Sequence, residues 1–379
     1  MHIVYASASC IPSRFANSIN VMKMCQGFAR LGHHVDLYAP NAGEFEQGVA
    51  DLFSYYGVTQ KFSVEKLPAP RYPSWPGRIV YASNYALRAW RRSSEIAYGR
   101  DWPALLMAAE LGYDTILEMH APAPKSGPKR LLFDRLAKSK HLLRIVVNSE
   151  ALRDDFAESF PWTEHLLLLA RNGADPIQRD PDRPLAIQRN GRMSVGYIGH
   201  LYPGRGMEIL RDFAELCPWA AFHVVGGWPE DVAFWKQRIG DASNVTFHGH
   251  VAPSRVPDFL HAMDVLIAPY QPVVGLEGGA GDNSRWVCPL KVFDYMAAGK
   301  PIICSDHAVL REILTHEQDA LLCRPTDVTQ WADALRRLRD DHDLANALAA
   351  RALESFEQQY SWDARARRVL EGLEIRGQS

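Results

Sequence analysis

The feature that most constrains this chain is a repeated alternation of short β-rich runs with amphipathic helical stretches. The first repeat has an apolar run at Ile3–Tyr5, a helical stretch from about Asn17 to Leu31, and a second run at His34–Ala39. Apolar residues at i, i+3, i+4 and i+7 from Val21 form one helix face. Gly32 is suited to the left-handed position that ends a helix. The order strand, helix, strand predicts a βαβ unit.

The same alternation continues in two series that a polar segment separates. Segment 174–192 is rich in Pro, Asp, Arg and Gln and has little periodicity, so we interpret it as a linker. Before it we predict strands at 115–119 and 144–147 and helices at 105–111 and 129–138. After it we predict strands at 194–198, 221–225, 245–247, 265–268 and 301–304, and helices at 207–216, 231–239, 256–262 and 292–298.

Two consecutive α/β series predict an α/β fold with two Rossmann-like parallel-sheet domains that face a cleft. We place the first domain at 1–178 and the second at 193–360. In such sheets, ligands bind beyond the carboxyl ends of the strands. The loops that follow the strands are therefore where functional residues are expected.

Composition excludes several classes of protein. The 379 residues carry 42 Lys and Arg against 44 Asp and Glu, a balance that argues against a dedicated nucleic-acid binder. No window approaches the roughly 18 apolar residues of a transmembrane helix. The start, MHIVYASAS, lacks the basic and apolar regions of a signal peptide. The six cysteines lack CxxC spacing, so we expect buried free thiols and a cytoplasmic protein.

A glycine-rich loop follows the predicted strand at 194–198. It reads Gly199-His200-Leu201-Tyr202-Pro203-Gly204-Arg205-Gly206. Its glycines permit close approach of the backbone to a ligand, and the following helix N-terminus attracts anions. Arg205 adds a forked cation suited to phosphate oxygens. A simple turn with a solvated arginine is equally consistent with this loop alone.

The segment from Pro289 to Pro301 carries a stronger signal. Pro289 can start a helix whose N–H groups face an anion. Lys291 falls in the first turn, and Asp294 lies one turn later on the same face. This pattern offers a cation for a phosphate and a carboxylate for two sugar hydroxyls. The alternative is an amphipathic helix with a solvated lysine and aspartate.

Several segments occur in the order that one family shows. In the second half these are GYIGHLYPGRGMEIL, FHVVGG, VTFHGHV, FLHAMDVLIAPY and PLKVFDYMAAGKPIICSD, and in the first half ANSINVMKMCQGFARLGHHVDLYAP, LEMHAP, VVNSEAL and RNGAD. Together they resemble the family-four retaining glycosyltransferases with the GT-B fold. The closing SWDARARRVLEGL, in segment 361–379, resembles the terminal helix that crosses back to the first domain.

The resemblance implies roles for residues of the second domain. It implies that Arg205 and Lys291 neutralise the donor diphosphate, and that Asp294 binds the ribose hydroxyls where a glutamate is usual. It also implies that backbone groups of His250 and Val251 meet the base. The remaining predicted donor contacts are His200, Gly204, Gly206, Pro289 and Leu290.

Two departures from the family pattern concern the donor. Trp286 stands eight residues before Asp294, where the family usually has a second glutamate. Glu277 or Asp282 in the preceding loop can substitute for it, or backbone N–H groups can hold the sugar. A second basic residue often follows the strand's glycine, and here that position is His200. The donor-sugar contacts therefore stay open among Glu277, Asp282, Trp286 and the backbone.

Candidate residues of the first domain follow its strands. The resemblance implies that His120 lies near the reacting sugar, so we predict a catalytic set of His120, Arg205 and Lys291. We predict acceptor contacts for Ser13, Arg14, Phe15 and Arg100. The alternatives are a structural loop histidine at His120, a structural salt bridge at Arg100, and, for the loop of Ser13, an ordinary loop with a helix cap at Asn17.

One basic stretch suggests a surface partner. It comprises Lys125, Lys129, Arg130, Arg135, Lys138, Lys140 and Arg144, interleaved with Leu131, Leu132, Phe133 and Leu136. Such a pattern suits an amphipathic helix on the anionic inner face of a membrane. Trp90, which lies among Arg88, Arg91 and Arg92, could contribute to the same surface. The solvated face of a packed helix is the alternative.

The resemblance implies a retaining transfer of a sugar from a nucleotide diphosphate sugar to an acceptor hydroxyl, without a metal or other cofactor. The expected acceptor is a saccharide or a lipid-linked saccharide in polysaccharide or glycan biosynthesis, and no nucleic acid is expected. Two alternatives stay open: a nucleotide-sugar epimerase or hydrolase on the same fold, and a non-catalytic nucleotide-sugar-binding module.

Overall fold

The computed structural model describes residues 1–43, 46–92, 94–177, 187, 191–275 and 281–373. The chain divides into two compact units. Unit 1 comprises Met1–Asn172 and the C-terminal segment from Trp362, and unit 2 comprises Gly173–Ser361. The sequence placed the corresponding boundaries at 178, 193 and 360. Much of the predicted linker, 178–186 and 188–190, lies outside the described residues.

Unit 1 alternates strands and helices along almost its whole length. Its elements are β1 (His2–Ala6), α1 (Ala16–Arg30), β2 (His34–Asn41), α2 (Leu52–Tyr56), β3 (Ser63–Pro68), α3 (Trp75–Arg92), β4 (Ile96–Gly99), α4 (Trp102–Glu110), β5 (Thr115–Met119), α5 (Gly127–Ala137), β6 (Leu142–Val147), α6 (Glu150–Ser159) and β7 (Leu167–Leu169), with the C-terminal helix α14 (Trp362–Leu370).

The seven strands of unit 1 form one parallel sheet in the order β3-β2-β1-β4-β5-β6-β7. The strand order reverses between β1 and β4, so the loops after these two strands flank the point where doubly wound sheets bind ligands. Helix α14 packs on α1, where a Cβ at Gly27 would lie 2.8 Å from the Trp362 carbonyl oxygen. A glycine is therefore required for this close approach.

Unit 2 repeats the alternation. Its elements are β8 (Met193–Ile198), α7 (Met207–Leu216), β9 (Ala220–Val225), α8 (Pro229–Ile239), β10 (Val245–Gly249), α9 (Val256–Ala262), β11 (Val265–Ala268), α10 (Leu290–Ala297), β12 (Ile302–Ser305), α11 (Ala308–Arg311), β13 (Leu321–Cys323), α12 (Val328–Asp340) and α13 (His342–Gln359). The parallel sheet has the order β10-β9-β8-β11-β12-β13, and its reversal lies between β8 and β11.

The sheet of unit 2 is covered by apolar layers on both faces. Along β11, Val265 and Ile267 join the layer formed with α7 and α12, whereas Leu266 and Ala268 join the layer formed with α9, α10 and α13. Side chains alternate between the two faces of a strand, so a strand buried on both faces is apolar at every position. This explains why the second-half strands appear in the sequence as continuous apolar runs.

The two parallel α/β sheets confirm the predicted fold class, and the structure adds elements that the sequence analysis did not assign. These are β3, α3, β4, β7, β13, α12 and α13 among the longer or sheet-forming ones. The alternative of a helix cap at Asn17 does not hold, because α1 begins at Ala16 and Phe15 is its N-cap residue. All six cysteines are buried and none forms a disulfide, as expected. Within the described ranges, no helix is long and apolar enough to cross a membrane.

Candidate functional site

The loop after β8 and the segment after β11 pack against each other at the strand-order reversal of unit 2. A Cβ at Gly204, where φ is +81°, would lie 2.0 Å from the Val273 carbonyl oxygen. A Cβ at Gly206, where φ is +105°, would lie 2.4 Å from the Pro269 carbonyl oxygen. Only glycine fits both the left-handed backbone and the contact distance. The two glycines therefore fix the loop against its neighbour.

The backbone N–H groups of these glycines are bound by a side chain of the following helix. Gly204 donates to Glu208 Oε1 at 2.5 Å, and Gly206 donates to Glu208 Oε2 at 3.0 Å. In the sequence, this interaction is indicated by an acidic residue, Glu208, two positions after Gly206, and it was not predicted above. An anion at this loop must therefore be bound by other groups.

Two cationic side chains, Lys291 and Arg205, lie beside the loop. The Lys291 Nζ atom lies 3.8 Å from the centre of the Tyr197 ring and 5.1 Å from that of Tyr270. The Arg205 guanidinium lies 5.6 Å from the Tyr270 ring and donates to the Gly275 carbonyl oxygen at 3.3 Å. Lys291 Nζ and Arg205 Nε are both shielded from solvent, and neither has a hydrogen-bond partner among the described residues.

The electrostatics of this pair favour an anionic ligand. Burial lowers the pKa of Lys291 well below its usual range, and the positive charge of Arg205 lowers it further. A buried charge without a partner is unfavourable, and a second cation nearby adds repulsion. Helix α10 also begins here, and its N-cap residue Pro289 offers no side-chain cap to the first N–H groups. A phosphate between these groups removes the repulsion and uses the N–H donors.

Other predicted donor contacts surround the same strand ends. Asp294 lies one turn after Lys291 on α10 and is half-buried. The His200 ring stacks on the Tyr202 ring at 4.9 Å and 4°, and its carbonyl oxygen accepts from Tyr197 Oη at 2.6 Å. His250 and Val251 directly follow β10 and are half-buried. The sequence-predicted residues thus follow three strands, β8, β10 and β11, or lie at the start of α10.

The three candidates for the donor sugar differ in their surroundings. Asp282 accepts hydrogen bonds from the backbone N–H groups of Ser284 at 2.8 Å and Val274 at 3.0 Å, and these bonds lower its pKa. Its carboxylate therefore stabilises the loop. Trp286 is half-buried, and its Nε1 has no partner among the described residues. Glu277 lies outside the described residues.

In unit 1, a buried carboxylate stands at the centre of a polar cluster at the end of β5. Glu118 is 1 % exposed. Its Oε1 lies 2.6 Å from His120 Nε2 and 3.1 Å from an Arg365 nitrogen, and its Oε2 lies 3.3 Å from the other terminal nitrogen of Arg365. Tyr98 Oη also donates to Oε2. We call Glu118, His120, Arg365 and Tyr98 the strand-end cluster.

Charge and burial fix the protonation of the strand-end cluster. Burial opposes the charged form of Glu118, but Arg365 and then His120 outweigh it and hold the pKa of Glu118 well below its usual range. Burial, with the positive charge of Arg100, lowers the pKa of His120 to about 4. His120 is therefore neutral at pH 7. A carboxylate only accepts hydrogen bonds, so Nε2 carries the proton and Nδ1 is an acceptor.

The predicted acceptor residues lie around the strand-order reversal of unit 1. Ser13 is buried, and its N–H donates to Tyr56 Oη at 2.8 Å. Arg14 Nη2 donates to Glu46 Oε1 at 3.0 Å. Arg100 donates through Nη1 to the side chain of Asn17, so it ties the loop after β4 to α1. Arg100 thus has a structural contact, which is a hydrogen bond to Asn17 and not the salt bridge considered above.

The basic stretch is largely engaged within unit 1. Lys125 pairs with Asp155 at 2.7 Å, Arg130 with Asp134 at 2.9 Å, and Arg135 with Glu110 at 2.5 Å. Arg144 donates to the Val369 carbonyl oxygen at 2.6 Å. Phe133 and Leu136 are buried in the core. For α5, the structure therefore favours the solvated face of a packed helix over a membrane-binding helix.

Two family profiles match the chain. The profile "Glycosyl transferase 4-like domain" matches residues 19–173, and "Glycosyl transferases group 1" matches residues 192–341. The first lies almost entirely in unit 1 and the second in unit 2. The chain belongs to the glycosyltransferases of the GT-B fold that carry this pair of family-four-like domains.

Known relatives are distant. The chain is 26 % identical over 236 residues to a GDP-mannose-dependent alpha-(1-6)-phosphatidylinositol monomannoside mannosyltransferase of Mycobacterium tuberculosis, a match covering 59 % of this chain and 60 % of that protein. The chain thus spans about three-fifths of this relative's length. A crystal structure of Anabaena Alr3699/HepE in complex with UDP has a TM-score of 0.71 at 16 % identity, covering 98 % and 99 % of the two chains.

Proposed function

We propose that this protein is a retaining glycosyltransferase that transfers a sugar from a nucleotide diphosphate sugar to an acceptor hydroxyl. One observation carries the proposal: two shielded cations, Lys291 and Arg205, stand beside the N-terminus of α10 with N–H donors that no described residue accepts from. A diphosphate fits this arrangement in charge and in hydrogen-bonding capacity. Membership of the family supports the reaction class.

In this proposal the chain acts through positioning and charge. As the bond between the anomeric carbon and the diphosphate oxygen breaks, negative charge grows on the leaving group, where Lys291 and Arg205 bind it. The acceptor oxygen bonds to the same face of the sugar, and its proton passes to the leaving phosphate. The two side-chain cations supply the charge that the departing diphosphate requires, so no metal or cofactor is proposed.

The other residues hold the donor and the sugar. Asp294 accepts hydrogen bonds from the ribose hydroxyls, and Trp286 donates its indole N–H to a sugar hydroxyl, in place of the family's glutamate. His120 contacts the reacting sugar, with Nδ1 as an acceptor and its ring held by Glu118. The hydrogen bond between His120 and Glu118 supports this role because it fixes both the tautomer and the ring plane.

A binding measurement tests the diphosphate assignment. Calorimetric titrations with nucleoside diphosphates, the matching monophosphates and the nucleosides should rank the diphosphates as tightest by a wide margin. Equal binding of diphosphate and nucleoside would contradict the assignment.

Slow release of free sugar with retained configuration distinguishes a transferase from an epimerase, and binding without any turnover across donors and acceptors indicates a binding module.

We also propose a lipid-linked acceptor at the inner face of an anionic membrane, with the contact on α3. Val80, Leu87 and Trp90 form an exposed apolar stripe along α3, and Trp90 is 63 % exposed. Exposed Arg91 lies beside Trp90. Apolar rings and aliphatic groups beside a cation are typical of surfaces that enter the headgroup region. One relative named above, a phosphatidylinositol monomannoside mannosyltransferase, is consistent with a lipid acceptor.

Replacing both Leu87 and Trp90 with serine should remove most binding to vesicles that contain phosphatidylglycerol. Both side chains are exposed, so folding should be unaffected. Cosedimentation with phosphatidylglycerol and phosphatidylcholine vesicles measures the effect. The matched control replaces Leu216 and Phe234, exposed apolar residues of unit 2. If both double variants bind as the unmodified protein does, the α3 contact is refuted.

A further inference from the structure

We infer that unit 1 binds a divalent transition metal ion at His2, His34 and Asp36. The three side chains lie at the start of β1 and β2, where His2 and His34 are register partners. Residues two apart on a strand share a face, so Asp36 joins His34 on that face. The site is at the amino-terminal edge of the sheet, whereas His120 and Arg100 follow the carboxyl ends of β5 and β4.

The distances between the candidate ligand atoms are close to those of a metal site. Asp36 Oδ2 lies 2.9 Å from His2 Nε2, and Asp36 Oδ1 lies 3.8 Å from His34 Nε2. The candidate ligand atoms all lie within 4.8 Å of one another. In tetrahedral zinc sites with bonds of about 2.0–2.1 Å, ligand atoms stand a little over 3 Å apart. The His34 side chain is exposed, so it has room to rotate towards the other two ligands.

The burial pattern is that of a site with one open side. The Asp36 side chain is 2 % exposed and that of His2 20 %, whereas that of His34 is 64 % exposed. The backbone N–H of His2 donates to Glu95 Oε2 at 2.6 Å, which fixes the start of β1. A buried carboxylate between two imidazoles is stabilised by a positive charge. The open side leaves room for water as a further ligand.

The donor set selects the class of metal. Two imidazole nitrogens and one carboxylate suit Zn²⁺, Co²⁺ or Ni²⁺, whereas Ca²⁺ and Mg²⁺ prefer oxygen ligands alone. Because the ligands come from two neighbouring strands, the ion would clamp β1 to β2. Its role is therefore structural, at a distance from the proposed transfer chemistry, and it holds whether or not the proposed function is correct.

Cobalt titration of the protein, freed of any tag and treated with a chelator, tests the site. We expect one Co²⁺ per chain with the absorption of a four- or five-coordinate ion, displaced by Zn²⁺, and a rise in Tm with Zn²⁺. His34→Ala should weaken binding at least about 100-fold, since loss of an outer-shell partner alone costs about 10–100-fold and this variant loses a ligand itself. His34 is exposed, so this variant should fold, and circular dichroism confirms it. His342→Ala, at an exposed histidine of unit 2, is the control. Absence of binding, or equal affinity in His34→Ala, would overturn the inference.

Discussion

Replacing Lys291 with methionine should stabilise the ligand-free protein and abolish nucleoside diphosphate binding. The Lys291 ammonium is shielded, lies beside Arg205 and lacks a hydrogen-bond partner among the described residues. An unsatisfied buried polar group costs about 1–3 kcal/mol, and more when it is charged. Methionine fills a similar volume without a charge. Opposite effects on stability and function are the signature of a residue placed for a ligand.

Thermal denaturation with and without a nucleoside diphosphate measures both effects. For the unmodified protein, ligand should raise Tm, since a ligand that binds only the folded state stabilises it. For Lys291→Met, Tm without ligand should be equal or higher, and the ligand shift should vanish. Loss of such a charge contact should lower kcat by about 10²–10³-fold. Lys236→Met, at an exposed lysine of α8, should change neither quantity. A destabilised Lys291→Met that still binds diphosphate would contradict the assignment.

The same lysine predicts how binding depends on pH. Burial and Arg205 lower its pKa in the free protein, and a bound diphosphate raises that pKa again. Between these two values, binding takes up a proton, so affinity should fall as pH rises through that range. Titration calorimetry in buffers of different ionisation enthalpy should show proton uptake in the unmodified protein and a smaller uptake, or none, in Lys291→Met.

The second large effect is expected at Arg365, a residue of the C-terminal helix. Arg365→Met leaves the carboxylate of Glu118 buried without its cation, and breaking a buried ion pair costs about 3–5 kcal/mol. His120 should then protonate more easily, because a nearby positive charge is gone and the carboxylate persists. An NMR titration of the His120 ring should show its pKa above the value of about 4 in the unmodified protein.

A double variant separates stability from function. Glu118→Gln combined with Arg365→Met removes both buried charges, so stability should largely recover relative to Arg365→Met. Activity should stay low, with kcat reduced up to about 100-fold, because His120 has lost its ionised partner and its fixed orientation. Arg153→Met, at an exposed ion pair of α6, is the control. Full activity in the stable double variant would show that the cluster does not position His120.

Local spacing predicted the fold and the cations of unit 2. The βαβ alternation required only neighbouring residues, and Lys291 and Asp294 fall on one helix face because they are three residues apart. Strand β3, with the sequence SVEKLP, was missed because it is largely polar and its two aliphatic residues, Val64 and Leu67, are three positions apart, so no alternation of apolar residues marks it. Helices α12 and α13 were missed because they lie after β12, the last strand that the βαβ alternation predicted.

The strand-end cluster was beyond local sequence analysis. Glu118 and Arg365 are 247 residues apart, and no spacing rule joins them. A glutamate within the buried strand TILEM is nonetheless a signal, since a buried carboxylate needs a partner. The bonds between Glu208 and the loop glycines, by contrast, join residues two and four positions apart. They were missed because the glycines were interpreted as ligand contacts alone.

The proposed sugar transfer is tested most directly by the turnover of a panel of nucleotide diphosphate sugars, followed by proton NMR with and without saccharide and lipid-linked acceptors. We expect that at least one donor releases its nucleoside diphosphate and yields a product with the donor's anomeric configuration. The rate should fall at least about 100-fold in Lys291→Met. A product of inverted configuration would contradict the retaining transfer, and full turnover in Lys291→Met would contradict the role of Lys291.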